Sequence, residues 1–269
     1  MAVDTEKDLQ VLRNRFRELA DRSFRQNVYI FTGFLGLVEQ DVFWQMEKEL
    51  RYAGCRLQGA AGAVRGSEDG QDAGDGTDRK VLRFGDPAQL GYEEEFPIVC
   101  IHMKPLLEKF SDTFSHRDFL GALMNLGIER STVGDIRVGE KEGYLYCLDT
   151  IAEYICEHLE QVKHTHIRCS VIADPGEMPQ EKPREEEVLV SSQRADAVAA
   201  KVYNMSRAES IDMFRDKKVY IDGRLCENNS RVLKDGETVN VRGYGKFIYS
   251  GVKYETKKGK LSLKVLVFR

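Results

Sequence analysis

No run of 18 apolar residues occurs in these 269 residues, and the first ten, MAVDTEKDLQ, lack the basic-then-apolar layout of a secretory signal. A membrane-spanning helix is not expected, and a cytoplasmic protein is. Cysteine occurs six times (Cys55, Cys100, Cys147, Cys156, Cys169, Cys226) but never as C-x-x-C. Neither a disulfide framework nor a zinc site is therefore expected, and the thiols read as reduced and mostly buried. Histidine is scarcer, at five. Its closest pair, His164 and His166, stands two apart on one face of a strand with no third ligand in view, so no metal is expected. Glycine-rich phosphate loops are absent too: Gly243-Tyr244-Gly245 lacks the third glycine and the following helix, and reads as a tight bend. His116-Arg117-Asp118 looks like the start of a kinase catalytic loop, but Leu123 stands where that loop needs Asn, and no D-F-G segment exists. These absences leave no cofactor to expect and no catalytic constellation.

What is present is a globular composition, 42% hydrophobic and 31% charged, enough for two or three small domains with cores of their own. The formal net charge of −4 hides an asymmetry. Ser191 to Arg269 holds 17 Lys+Arg against 9 Asp+Glu, a formal +8, and the rest of the chain carries −12. Such a basic module at one end is the electrostatic footprint of a polyanion binder; a lysine-rich solvated face is the plainer alternative.

Leu9, Leu12, Phe16 and Leu19 recur at helical spacing, predicting an amphipathic helix over about 6–23. A second is predicted over about 39–53, with Phe43, Met46 and Leu50 inward and Gly54 ending it. Gln58 to Lys80 is Gly/Asp-rich without periodicity and reads as a mobile loop. From Phe96 the order becomes strand (FPIVCIHM), helix (SHRDFLGALMNLG), two strands (VGDIRVG, GYLYCLD), helix (DTIAEYICEHL) and strand (HTHIRCSVI). That β-α-β-β-α-β order predicts a ferredoxin-like or RRM-like domain, without the aromatic-rich motif that reads bases. Three of the six prolines fall in ADPGEMPQEKPREEE with six acidic residues, which predicts an extended, self-repelling linker. Beyond it come two helices, SSQRADAVAAKVYN capped by Ser191 or Ser192 and SRAESIDMFRDK, then short strands at KVYIDG, RLCEN and ETVNVRG. The fold class expected is α+β: an α-rich domain over 1–80, the RRM-like domain over 81–173, a linker over 174–187 and a C-terminal domain over 188–269 ending in a β-hairpin.

Ser206-Arg207-Ala208-Glu209 matches the S-x-x-E capping box, in which hydroxyl and carboxylate satisfy free helix N–H groups reciprocally. Arg207 then projects from a helix start that already favours an anion. With Arg194 before it and Lys217-Lys218 after it, a ridge of cations for one phosphate backbone is expected. Ser115 to Asp118 forms a second capping box, flanked by His116 and Arg117, whose use is either structural or a secondary RNA contact.

The same residues resemble a known family. SSQRADAVAAKVYNMSRAESIDMFRDKKVYIDGR together with LKDGETVNVRGYGKF is similar to the αL RNA-binding domain of ribosomal protein S-four. Arg194, Asp196, Ser206, Arg207, Gly223, Gly236, Arg242 and Gly243 match position by position. Ala195 replaces a Leu, Tyr220-Ile221-Asp222-Gly223 replaces V-N-G, and Glu237 replaces an Asp. HRDFLGALMNLGIERSTVGDI resembles the signature block of the YlmH family, whose members end in this domain, and YETKKGKLSL resembles its tail. The family's N-terminal motifs appear only as FLGLVEQ and GAAGAVRGS, with most basic residues gone, which puts any contact those cations make in doubt here.

The resemblance implies a non-catalytic protein that binds structured RNA, ribosomal or transfer RNA on the large ribosomal subunit, with a role in translation or the handling of stalled subunits, as a monomer without cofactor. The residues expected to grip phosphates are Arg194, Arg207, Lys217, Lys218, Arg242 and Lys246, with Ser206 capping and Lys257, Lys258 and Lys260 extending the patch from a hairpin tip. The rival is an RNA-modifying enzyme, a pseudouridine synthase or methyltransferase that uses the αL domain to dock its substrate. Neither catalytic signature is present before the linker.

Overall fold

The computed structural model describes residues 6–59, 78–173 and 183–268. They form an α+β protein of two compact units, residues 1–180 and 181–269.

Unit 1 begins with helix α1 (Glu6–Gln26), strand β1 (Ile30–Leu35), helix α2 (Leu37–Leu50) and strands β2 (Arg56–Gly59) and β3 (Lys80–Phe84). The strands pair antiparallel in the order β1-β3-β2. Phe16, Leu19 and Ala20 of α1 pack with Phe43, Met46 and Leu50 of α2 over Leu82 and Phe84. This sheet adds three strands to the helices of the expected α-rich domain. Its first strand is a short apolar run interrupted by Gly33, a pattern without the alternation that marks a half-buried strand. It also trims the expected loop, since Gln58, Gly59 and Lys80 are strand residues; positions 60–77 lie outside the described residues.

The chain continues through β4 (Ile98–Pro105), α3 (His116–Asn125), β5 (Val133–Val138), β6 (Gly143–Leu148), α4 (Asp149–His158), β7 (Gln161–Val162) and β8 (Thr165–Ile172). The sheet order is β5-β6-β4-β8-β7, all antiparallel. Its first four strands have the ferredoxin-like arrangement, with the first and third strands in chain order, β4 and β6, at the centre. Phe119 and Leu123 of α3 and Ala152 and Ile155 of α4 bury one face, against Ile101, Met103, Leu145 and Ile167. His164 lies in the turn between β7 and β8 while His166 lies in β8, so the two histidines do not share a strand face. Among the described residues no group of three or more His, Cys, Asp or Glu could hold a metal.

One core explains why these two halves form a single unit. Phe34 and Val81 of the first sheet pack with Phe96, Ile98, Cys100, Tyr144 and Tyr146 on the face of the second that its helices leave uncovered. Close approach is written into two glycines: a Cβ at Gly33 would stand 2.6 Å from the Ser131 carbonyl oxygen, and one at Gly134 2.7 Å from the Phe34 ring. Arg79 ties the joint, donating to the Phe34 carbonyl at 2.6 Å and the Arg130 carbonyl at 3.2 Å, while the backbone amides of Asp78 and Arg79 donate to Asp135. Burial holds the nearby Arg130 guanidinium down to about 10, with the charge of Arg79 adding to the effect. The block GIERSTVGDI is thus largely docking surface for the first sheet.

Unit 2 comprises β9 (Arg184–Val190), α5 (Ala195–Val202), α6 (Arg207–Arg215), β10 (Val219–Ile221), β11 (Arg224–Leu225), β12 (Thr238–Val241), β13 (Gly245–Glu255) and β14 (Leu261–Phe268). They make one sheet, ordered β11-β10-β12-β13-β14-β9. Residues 184–187 therefore belong to a strand rather than to a linker; positions 174–182 lie outside the described residues. Pairing explains why a run of three glutamates can be a strand: Glu187 and Glu185 meet Lys253 and Lys264. Val198, Ala199, Val202 and Phe214 of the helices pack on Val219, Val239, Val241, Phe247 and Val265. Neither Ser191 nor Ser192 caps α5; Arg194 holds that position. The helix's first amides instead donate to the backbone, Ala195 to the Arg231 carbonyl at 2.8 Å and Asp196 to that of Asn229 at 3.1 Å, so no hydroxyl is needed.

Candidate nucleic-acid interface

Helix α6 opens as the capping box requires. The Ser206 amide donates to Glu209 Oε2 at 2.7 Å, and the Glu209 amide donates to Ser206 Oγ at 3.2 Å. Those bonds, backbone first, hold the Glu209 carboxyl below its ordinary range. Arg207 takes no part in the cap and is exposed; among the described residues no carboxylate lies within ion-pair distance of it. Its guanidinium sits at the positive end of the helix, where a cation is unfavourable unless an anion joins it.

Lys217 and Lys218 follow the last turn of α6, so they stand one helix length, roughly 15 Å, from Arg207. They bracket the helix rather than converge on its start. Lys217 adopts a left-handed backbone (φ 57°), which turns the chain into β10. Both carry exposed acid partners, Glu227 at 3.4 Å from Lys217 Nζ and Asp216 at 2.9 Å from Lys218 Nζ; surface pairs of this kind are weak enough for a phosphate to displace. The Arg242 amide donates to the Lys218 carbonyl at 2.9 Å, which brings exposed Arg242 beside the lysines. The tight bend that follows, with φ of 88° at Gly243 and 119° at Gly245, presents Tyr244 at 46% exposure, its ring centroid 5.6 Å from that of Tyr203 just before α6. Tyr244 carries no sequence signal beyond standing between two glycines, yet it gives the ridge a face on which a base can stack.

The other five expected contacts lie elsewhere. Arg194 is committed within the fold: it donates to both oxygens of buried Asp196, at 3.0 and 2.7 Å. Asn229 adds a third bond to Asp196 at 2.8 Å, and Ser210 Oγ donates to the Asp196 carbonyl at 2.8 Å. Burial works against the Asp196 charge, but the bonds from Arg194 and Asn229 outweigh it and hold the carboxyl below its ordinary value. The pair locks α5 to α6 and to the loop at 229. Lys246 is buried, its ammonium 5.2 Å from the centre of the Phe268 ring, and is not presented to a phosphate. Lys257, Lys258 and Lys260 are exposed in the turn between β13 and β14. The 11 residues of β13 separate them from Arg242 by roughly 35 Å, so they form a second basic pole. Counting β9, the unit carries 19 Lys+Arg against 13 Asp+Glu, a formal +6, with Glu185 and Glu187 on the β9 side of the sheet.

In unit 1 the second capping box is also formed: the Ser115 amide and hydroxyl donate to Asp118 at 2.7 and 2.6 Å. Lys163 adds an ion pair at 3.1 Å. His116 and Arg117 flank it at the surface; the protein packed beside the His116 ring partly strips it of solvent and, with the charge of Arg130, pushes the imidazole below its ordinary value.

Comparison with known proteins bears on the middle of the chain. Residues 92–174 match the family described as "Putative RNA-binding domain in YlmH". By that match the segment is similar to the RNA-binding domain of the YlmH family. The boundaries of that YlmH-type domain coincide with the second sheet and its two helices. A wider similarity, 28% identity over 156 residues, relates the chain to "Ribosome-associated protein quality control protein P2" of Bacillus subtilis (strain 168). It covers 56% of this chain and 61% of the relative, so the chain spans less than two thirds of that protein. The solved structure "Cell division protein ylmH from Streptococcus pneumoniae" superposes with a TM-score of 0.48 at 12% identity, covering 66% of this chain and 99% of that one.

Proposed function

We propose that this chain is a non-catalytic RNA-binding protein that acts on the ribosome, its unit 2 gripping the backbone of ribosomal or transfer RNA on the large subunit. The observation that carries the reading is the division of labour at α6: Ser206 and Glu209 complete the cap, leaving Arg207 exposed at the positive end of a helix with no structural task. Lys217, Lys218 and Arg242 continue the charge along one helix length, and Tyr244 adds a stacking surface. Lys257, Lys258 and Lys260 provide a separate contact, while Arg194 and Lys246 serve the fold. The names of the matched domain family and of the Bacillus subtilis relative support RNA and the ribosome as partners and quality control as the setting. Cytoplasmic residence and a monomeric state complete the proposal.

The test is retention on isolated large subunits and affinity for a labelled ribosomal RNA hairpin across 50–200 mM KCl. Phosphate-led binding predicts a steep fall of affinity with salt. Affinity for neither probe, or a modification of RNA by the pure protein, would overturn the reading.

A further inference from the structure

The outer face of the YlmH-type sheet is divided. Its strands β4 and β6 place Ile98, Cys100, Tyr144 and Tyr146 on the side away from the helices, and Gly143-Tyr144-Leu145-Tyr146 shares only the glycine and the alternating aromatics of the motif by which RRM sheets stack bases, with Leu145 where that motif has Gly or Ala and Tyr146 where it has Phe. Glu142 stands where that motif has a basic residue. The aromatics are nevertheless closed off. Tyr146 is fully buried in the core shared with Phe34, Val81 and Phe96. Tyr144 is 5% exposed, lies ring to ring with His102 at 4.4 Å and 9°, and donates its hydroxyl to Glu142 at 3.0 Å. The other oxygen of Glu142 meets His102 Nε2 at 2.7 Å. No base can slide onto either ring.

Beyond that closed half the face is open and basic. Lys104 of β4 and Arg168 of β8 are direct cross-strand partners, which sets two cations on one side of the sheet at the closest spacing the ladder allows. Like charges so placed destabilise a sheet. Both are exposed, and among the described residues no carboxylate lies within ion-pair distance of either. The neighbouring positions are Ser170 opposite His102, and Arg137 opposite Tyr144, with exposed His166 two residues before Arg168. The acid of this face, Glu142, is already held by His102 and Tyr144.

We infer that the Lys104–Arg168 pair is an RNA phosphate-contact surface, by which the YlmH-type domain holds a nucleic-acid backbone by charge where an RRM would read bases. The inference rests on the RNA-binding reading of the chain but concerns a different surface from the α6 ridge. An anion between the two side chains relieves their repulsion, and the hydroxyl of Ser170 and the imidazole of His166 supply flanking donors. The buried aromatics make such contact indifferent to sequence.

The full-length protein decides it, with fluorescence anisotropy on two labelled probes, a 20-nucleotide poly(U) strand and a 20-residue poly-glutamate peptide, between 50 and 200 mM KCl. Variants are K104Q/R168Q, R207A, and K48Q/R51Q as a control that removes two exposed charges at the end of α2. K104Q/R168Q should bind poly(U) about tenfold more weakly, with a log–log salt slope smaller by about 1.4, at 0.7 per phosphate of a single strand. The control should match wild type, and the melting temperature of K104Q/R168Q should be equal or higher. If K104Q/R168Q binds poly(U) like the control while R207A is weakened, the inference is overturned and the α6 reading stands. If wild type does not bind poly(U) at all and fails on the ribosomal hairpin as well, both fall. Poly-glutamate binding that equals poly(U) and is lost in K104Q/R168Q would assign the surface to an acidic protein and overturn the inference.

Discussion

Replacing Arg207 by Ala and, separately, Ser206 by Ala separates recognition from folding at adjacent positions. The Arg207 side chain contributes neither burial nor a cap bond, and its charge opposes the helix dipole by about 0.3–1 kcal/mol at low ionic strength. Its loss should leave stability unchanged or raise it by up to about 0.5 kcal/mol, a shift of roughly 2–4 °C for a domain of this size. Ser206→Ala removes the acceptor for the Glu209 amide and should cost about 1 kcal/mol, lowering the melting temperature by roughly 4–8 °C. Binding should show the opposite order. Arg207→Ala should weaken the RNA hairpin about tenfold, the value of one charge-assisted contact, and reduce the magnitude of the salt slope by about one. Ser206→Ala should leave the slope unchanged. Thermal melts and anisotropy titrations at several salt concentrations give both readouts on the same samples. If Arg207→Ala melts as low as Ser206→Ala while binding RNA with unchanged slope, Arg207 is structural and the ridge is not a phosphate site.

Asp196→Ala should cost about 1–3 kcal/mol by leaving the Arg194 and Asn229 donors without their acceptor, seen in urea unfolding. Because the folded Asp196 carboxyl is held below its unfolded value near 3.9, its contribution is complete above about pH 4 and is lost as pH falls through the folded value; acid melts of wild type and Asp196→Asn should converge there. Phe34→Ala should cost about 3–5 kcal/mol and Gly134→Ala about 1–3 kcal/mol, and in each the two sheets of unit 1 should melt in one transition by calorimetry. Lys246→Met should leave the RNA salt slope unchanged within error, because the ammonium is buried under Phe268.

The order of the middle domain was legible because its strands and helices differ in period and its connections are short. The capping box at Ser206 was legible because it is a contact over three residues, and those are local in the chain. What the sequence hides is longer in range. Nothing in VYIFTGFL says that Phe34 will cover Tyr146 across more than a hundred residues, and that contact decides whether a Gly-Tyr-x-Tyr strand can stack bases. Arg194 and Arg207 look equivalent as text; a carboxylate two residues beyond the first, turned inward, takes one of them out of the binding surface. The three glutamates before Val188 read as a solvated linker because their lysine partners lie 66 and 79 residues away.

The pairing of β9 with β14 also sets an order of events. Val190 meets Leu261, and Arg184 meets Val267, so the ladder closes loops of about 70–80 residues and carries a high entropy of closure that local contacts cannot repay early. The α5–α6 pair and the β10–β12 strands can form first, leaving Val188 and Val190 exposed on a strand with two open edges until β14 arrives between it and β13. Two of the charges that line this late strand, Glu185 and Glu187, repel another copy of it during that interval, so the same residues that later pair with lysines first act as gatekeepers against association.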